Sequence, residues 1–313
     1  MGLELETSAV AITLTLATPA APRDPAVRRA LVEIALGALL IGAAPVLVRF
    51  ADSAPAASAF WRLTLATPFM LLPFLTRSSG PAPGARGGAL AWSLAMLTGV
   101  FFAADLLLFH TALGLTSIAS STLIVNAAPV LLPLLVWLLE GRRPGLAAVA
   151  ALLLAVIGVV ILALGRLDRS NADVSGDLLA MAAGGAYAVY LWLVRRARTV
   201  LSTGAVMAAG NAVGAVCLAI VLVVEGASPW PGSWTGALAI LGLAVLGQVL
   251  GQGLIARGLG KAPADAAGAL LLLPPVATTA LGWLAFGETL AALQAGGAIL
   301  VLIAVFMVAR GSR

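Results

Sequence analysis

Apolar runs of roughly 20 residues succeed one another along nearly the whole chain, parted by short segments rich in Arg, Gly, Pro and Asp. A hydrocarbon core of about 30 Å is crossed by a helix of about 20 residues at a rise of 1.5 Å each. Ten runs meet that length, at 30–50, 55–75, 88–111, 117–139, 144–164, 176–195, 200–224, 234–257, 263–286 and 290–310. Lipid supplies no partner for an open strand edge, so every run is predicted to be an α-helix. The pattern predicts an all-α membrane protein with ten transmembrane helices.

Charge orients the spans. Of the 18 basic residues, fourteen fall on one side: Arg23, Arg28, Arg29, Arg77, Arg86, Arg142, Arg143, Arg195, Arg196, Arg198, Arg257, Lys261, Arg310 and Arg313. The opposite side has Arg49, Arg166 and Arg169, and Arg62 lies within a span. The positive-inside rule then places both termini in the cytoplasm of a multi-pass protein of the bacterial inner membrane. Residues 1–28 are expected to be a disordered cytoplasmic tail. Their first charges, Glu4 and Glu6, are unlike the basic start of a signal peptide.

The two halves align at a constant offset of 146 residues. Leu113/Leu259, Gly114/Gly260, Pro129/Pro275, Val130/Val276, Trp137/Trp283 and Gly141/Gly287 coincide without gaps, and Leu47-Val48-Arg49 lies over Leu193-Val194-Arg195. Five spans per half is an odd number, so the halves (29–165 and 175–310) must be inverted relative to each other. Inverted repeats are a transporter architecture whose substrate site lies near the midplane between the halves.

Composition narrows the class. With 61% apolar residues, 10% charged and a mean hydropathy of +1.08, the chain lacks the polar skin of a soluble domain. The net charge of +5 is spread over inter-span loops, which argues for membrane orientation and against nucleic acid. The one cysteine, Cys217, excludes an intramolecular disulfide. No phosphate-cradling Gly-x-x-x-x-Gly-Lys motif occurs, so no ATP hydrolysis is expected. No cofactor and no metal are expected either, and two halves in one chain predict a functional monomer.

The residues of the repeat resemble a known family. A pattern of a leading Leu (Ala112-Leu113 and Gly258-Leu259), an apolar helix with P-V, and a closing W-L-x-x-G recurs in both halves, ending at Trp137–Gly141 and at Trp283–Glu288; the first copy ends Glu140-Gly141 where the second has Gly287-Glu288. With Ser58-Ala-Phe-Trp-Arg62, it is similar to the EamA family of the drug/metabolite transporter superfamily over residues 30–310. Ile41-Gly42 stands where that family's first helix is expected to carry Trp-Gly. The resemblance implies ten helices around a central cavity and export of small metabolites, with amino-acid exporters nearest in style.

Polar groups inside the spans are the substrate-binding candidates, because a charge in the membrane usually faces a cavity or a partner. Arg62 on span 2 and Asp105 on span 3 reach similar depth, as an ion pair or as a shared polar lining. Phe102, Asp105 and Phe109 share a helical stripe with Thr98, and Asn126 shares one with Thr122 on span 4. Tyr187, Tyr190, Asn211, Gln248 and Gln252 contribute from the second half, although packing beside Gly-x-x-x-Gly pairs also accounts for the amides. Trp61, beside Arg62, is a further cavity candidate, whereas the other tryptophans near span ends suit an interfacial belt. His110 is expected near the outer surface, as a packed or interfacial residue. Pro129 and Pro133 of span 4 and Pro274 and Pro275 of span 9 are expected hinges, freeing the carbonyls of Val125 and Leu271.

At offset 146, Asn126 lies over Leu272, Asp105 over Gly251 and Tyr187 over Ile41. The halves share scaffold residues and differ in polar ones, as an asymmetric substrate requires. The expected activity is secondary export of small metabolites, foremost neutral or aromatic amino acids, by alternating access. A multidrug or quaternary-cation exporter is the alternative and needs Asp105 unpaired with Arg62 turned elsewhere. An intramembrane lipid-modifying enzyme would need acid, base or metal ligands clustered at one depth, and the chain has a single histidine and isolated carboxylates.

Overall fold

The computed structural model describes residues 25–75, 88–126, 128–141, 143, 146–164, 174–197, 200–258, 270, 273–287 and 291–311. Span 1 holds α1 (Pro25–Gly42) and α2 (Ala44–Phe50), span 2 α3 (Pro55–Leu75) and span 3 α4 (Ala89–Leu115). Span 4 holds α5 (Ile118–Val125) and α6 (Ala128–Glu140), and span 5 α7 (Leu146–Leu164). The second half opens with α8 (Val174–Ala197) and α9 (Thr203–Glu225). Its third span runs from α10 (Trp234–Gly242) through a π-helical stretch (Leu243–Gln252) into α11 (Gly253–Gly258). Spans 9 and 10 hold α12 (Leu273–Phe286) and α13 (Ala292–Gly311).

Helices thus occupy each of the ten predicted spans. Five segments are long and apolar enough to cross a membrane by themselves: Pro25–Phe50, Ala89–Leu115, Val174–Val194, Thr203–Glu225 and Trp234–Ile255. Helix α1 starts at Pro25, so residues 25–28 are helical. Residues 1–24 lie outside the described residues.

Packing follows what a lipid solvent dictates. The buried core is dominated by small side chains, among them Ala38, Ala57, Ala59, Ala95, Ala112 and Ala183. The exposed surface carries large ones such as Leu146, Leu153, Val216, Val223 and Leu238. Lipid tails are as apolar as leucine, so association is driven by close contact and favours small residues between helices. At the α4–α9 crossing, a Cβ on Gly99 would collide with the Gly210 carbonyl oxygen. Only glycine permits that approach.

Helix neighbours obey the symmetry implied by the repeat. Exchanging spans 1–5 with 6–10 converts the α4–α8 contact into the contact of α1 with the π-helix and α11. It likewise converts α5–α8 into α12–α1 and α4–α9 into the contact of the π-helix with α3. The pairs α3–α9, α7–α13 and α5–α12 map onto themselves and straddle the pseudo-two-fold axis. Even a local cap is repeated. Gly141 and Gly287 both take positive φ, 71° and 64°. Their amides donate to Trp137 O and Trp283 O, each at 2.9 Å. This is a left-handed C-cap, which glycine adopts without steric cost.

Two breaks position the site. Span 1 was expected to be continuous, but it is interrupted at Ala43. Pro45, in the first turn of α2, cannot donate to the Ile41 carbonyl and sets the break. In span 4, α5 ends at Val125 with Asn126 as its cap, and Pro129 falls in the first turn of α6, where its missing N–H costs nothing. Pro274 and Pro275 likewise fall in the first turn of α12, at the matching position of the second repeat. Of the expected hinges, Pro129, Pro274 and Pro275 therefore stand at helix starts, whereas Pro133 falls inside α6. The side chains of Pro129 and Pro133 lie outside the described residues, as does Leu271.

Candidate functional site

The breaks in spans 1 and 4 and the start of α12 face a cavity of about 140 Å³. One water needs only about 10–15 Å³, so the cavity has room for a small solute. Its polar wall comprises Arg62, Asp105, Thr122, Asn126, Tyr187 and Gln252, and Phe102 and Phe109 add aromatic rings. Ile41, Pro45, Leu191, Ile255 and Pro274 supply apolar surface. Both repeats contribute.

Arg62 is 4% exposed and held from behind. Its Nε donates to Gln248 Oε1 at 3.1 Å, and Gln248 Nε2 donates to Asn211 Oδ1 at 3.2 Å. Gln248 and Asn211 are 0% and 2% exposed, so this relay joins α3, the π-helix and α9 inside the protein. The two terminal guanidinium nitrogens of Arg62 make no hydrogen bond among the described residues, and Arg62 belongs to the cavity wall. A planar fork presented in this way matches a carboxylate in bidentate geometry.

Asp105 comes from α4. It forms no ion pair with Arg62 within 4.0 Å. Its buried Oδ1 has no hydrogen-bond partner. Of the two expected arrangements, the structure gives a shared polar lining and not a closed pair. A buried acceptor without a partner carries a desolvation cost, as a site awaiting a ligand does.

The aromatic residues form a ladder. Phe102 stacks on Tyr190 with centroids 4.7 Å apart, and Tyr190 stacks on Tyr187 at 5.6 Å. Tyr187 lines the cavity beside Gln252, while Tyr190 supports the ladder from behind and donates to Met207 Sδ at 3.6 Å. Tyr190, Gln248 and Asn211 are thus supporting residues and not cavity wall.

Trp61 is a correction. Successive helical residues diverge by about 100°, so Arg62 facing the cavity turns Trp61 aside. Its indole N–H donates to Pro229 O at 2.7 Å, and its ring lies 5.1 Å from that of Trp230. His110 is packed, at 2% exposure, with Nδ1 2.8 Å from Ser58 Oγ. It packs spans 2 and 3 together. The freed Val125 carbonyl lies toward α8, 3.5 Å from where a Cβ on Gly184 would stand.

One polar residue escaped the sequence reading. Thr278 of α12 is fully buried, lines the cavity, and donates to the Gly42 carbonyl at 2.7 Å. It satisfies backbone at the interruption of span 1. The signal available was its position one turn after the Pro274-Pro275 pair. At the end where α2 and α4 finish, Arg49 donates to Leu113 O at 3.0 Å and to Thr116 O at 2.6 Å. Phe50 stacks on Phe286 at 5.1 Å, so spans 1, 3 and 9 are tied together beyond the cavity.

Helices in each of the ten predicted spans, arranged as two repeats around a cavity walled by Arg62 and Asp105, suit a transporter. The chain belongs to the EamA-like transporter family, whose model matches twice, at residues 28–164 and 174–310. It is similar to "Uncharacterized transporter YwfM" of Bacillus subtilis (strain 168), at 29% identity over 71% of this chain and 75% of that protein. It is also similar to threonine/homoserine exporter RhtA of Salmonella typhimurium (strain SL1344), at 34% identity over 58% of each chain. The RhtA of Escherichia coli (strain K12) is 32% identical over the same shares. The chain therefore spans little more than half the length of the RhtA relatives. A solved structure described as "Crystal structure of protein" shares the fold, with a TM-score of 0.61 and 22% identity. The match covers 92% of this chain and 98% of that one. Family membership makes this an integral membrane transporter and removes the enzyme reading.

Proposed function

We propose that the protein exports neutral α-amino acids from the bacterial cytoplasm by alternating access. One observation carries the reading: a free guanidinium fork and a partnerless carboxylate face one cavity without pairing to each other. A zwitterion carries the complementary charges at its two ends. Arg62 receives the carboxylate and Asp105 the ammonium group, while Phe102, Phe109 and Tyr187 pack against the side chain. The similarity to the threonine/homoserine exporters supports the same substrate class. A quaternary cation fits less well, because Arg62 faces the cavity and would repel it.

In this reading the halves rock about the pseudo-two-fold axis, and the interruptions at Ala43 and after Asn126 absorb the bending. The protein acts as a monomer with both termini in the cytoplasm. The test is uptake into proteoliposomes of purified protein with a panel of amino acids, quaternary ammonium compounds and sugar nucleotides. Saturable amino-acid uptake is expected, lost at least about ten-fold in Arg62→Gln and in Asp105→Asn, since each removes a charge-assisted contact of about 1.5–3 kcal/mol. Uptake confined to cations or to sugar nucleotides would overturn the proposal.

A further inference from the structure

The two charged groups account for the ends of an amino acid and say nothing of its side chain. A second polar pair on the cavity wall remains. Thr122 of α5 is 3% exposed and lines the cavity, and its Oγ1 is buried without a hydrogen-bond partner. Serines and threonines within helices usually return their hydroxyl to a carbonyl one turn back. Thr67, Thr111 and Ser93 do so here, onto Leu63 O, Leu107 O and Ala89 O. The corresponding acceptor for Thr122 is Ile118 O, which receives Ser121 Oγ at 3.2 Å.

Asn126 lies one turn further along the same wall. Its Nδ2 donates to Thr122 O at 2.7 Å, which turns the amide so that Oδ1 is left as an acceptor. The wall therefore offers one hydroxyl that can donate and one amide oxygen that can only accept. A substrate hydroxyl satisfies both, donating to Asn126 Oδ1 and accepting from Thr122 Oγ1. An aliphatic side chain satisfies neither and leaves Thr122 Oγ1 buried and unpaired. In the other repeat, the positions 146 residues on are Gly268 and Leu272, so this wall has no polar counterpart.

We infer that Thr122 and Asn126 form a side-chain subsite that selects hydroxyl-bearing α-amino acids over their aliphatic isosteres. The inference rests on the proposed amino-acid transport and adds the basis of discrimination. Apolar pockets discriminate poorly between a hydroxyl and a methyl group, whereas a buried hydrogen-bonding group left unpaired disfavours the analogue that lacks the hydroxyl.

Threonine and valine differ only in hydroxyl against methyl, so they isolate the subsite. Counterflow of labelled threonine in proteoliposomes, competed by unlabelled threonine or valine, gives the ratio of half-saturating concentrations. In the unmodified protein threonine is expected to be favoured about ten- to hundred-fold, the range set by one unsatisfied buried polar group. Thr122→Val, an isosteric change, is expected to bring the ratio to within about three-fold, and Thr122→Ser to retain it, since the hydroxyl decides the ratio. Asn126→Leu reads the same ratio if Thr122→Val cannot be purified folded. Equal affinity for threonine and valine in the unmodified protein, or a ratio unmoved in the variants, would overturn the subsite while leaving amino-acid transport intact. Absence of any amino-acid uptake would overturn both.

Discussion

Arg62 shows how a charge is kept usable inside a bilayer. A guanidinium with every nitrogen paired would be a structural tie, and one with none paired would be costly. Here one edge is spent on Gln248, which is itself fixed by Asn211, and the fork stays open toward the cavity. Gln248 and Asn211 are thus positioning residues for Arg62. Gln248→Leu removes the acceptor of Arg62 Nε, a hydrogen bond to a charged group worth about 1.5–3 kcal/mol. The expected outcome is a KM for amino-acid uptake raised about ten-fold with a smaller change in maximal rate, alongside a lower melting temperature in detergent. Asn211→Leu, one bond further from the guanidinium, should show the same pattern more weakly. A Gln248→Leu protein with unaltered KM would reduce the relay to simple packing.

At the scale of the element, the interruptions of spans 1 and 4 do more than bend helices. They create helix ends at membrane depth, whose carbonyls must find partners in protein because lipid provides none. Thr278 meets that need for Gly42, linking α12 of one repeat to α1 of the other. Thr278→Val keeps the shape and orphans the carbonyl, and should cost about 1–3 kcal/mol in thermal unfolding. Thr64→Val is the control: that hydroxyl is buried without a partner, so its loss should be neutral within about 0.5 kcal/mol. Similar losses in both would remove any special role from the Thr278 contact.

These elements mark where sequence reasoning succeeded and where it stopped. Span number and positions were legible because length and hydropathy are imposed by the bilayer itself. That Arg62, Asp105, Phe102, Phe109, Asn126, Tyr187 and Gln252 line one cavity was legible, because a polar or aromatic group at helical spacing inside a membrane usually faces a cavity or a partner. What stayed hidden was rotation and depth of layer. Trp61 and Arg62 are adjacent in sequence, yet one faces a loop and the other the cavity. Gln248 and Gln252 lie four residues apart, but one backs Arg62 and the other lines the cavity, with a π-helical stretch carrying both. The break at Ala43 stayed hidden because Pro45 sits within one continuous apolar run, whose length and hydropathy alone read as a single span.

For the whole molecule, the repeat and the charge distribution are two independent statements about orientation. The repeat requires five spans in each half and hence opposite insertion of the halves, but it is silent on which face is cytoplasmic. Fourteen basic residues against three supply that second term, with Arg166 and Arg169 between the halves counted among the three. The matched caps at Gly141 and Gly287 then lie on opposite faces of the bilayer, each closing a fourth span of its repeat. A fluorescent protein fused after Arg313 should be bright and an alkaline phosphatase fused there inactive, whereas phosphatase inserted between residues 165 and 174 should be active. The reverse pattern would leave the inverted repeat untouched and turn the proposed exporter around. Even spans with opposed halves permit either orientation, and only the basic residues bear on the choice between them.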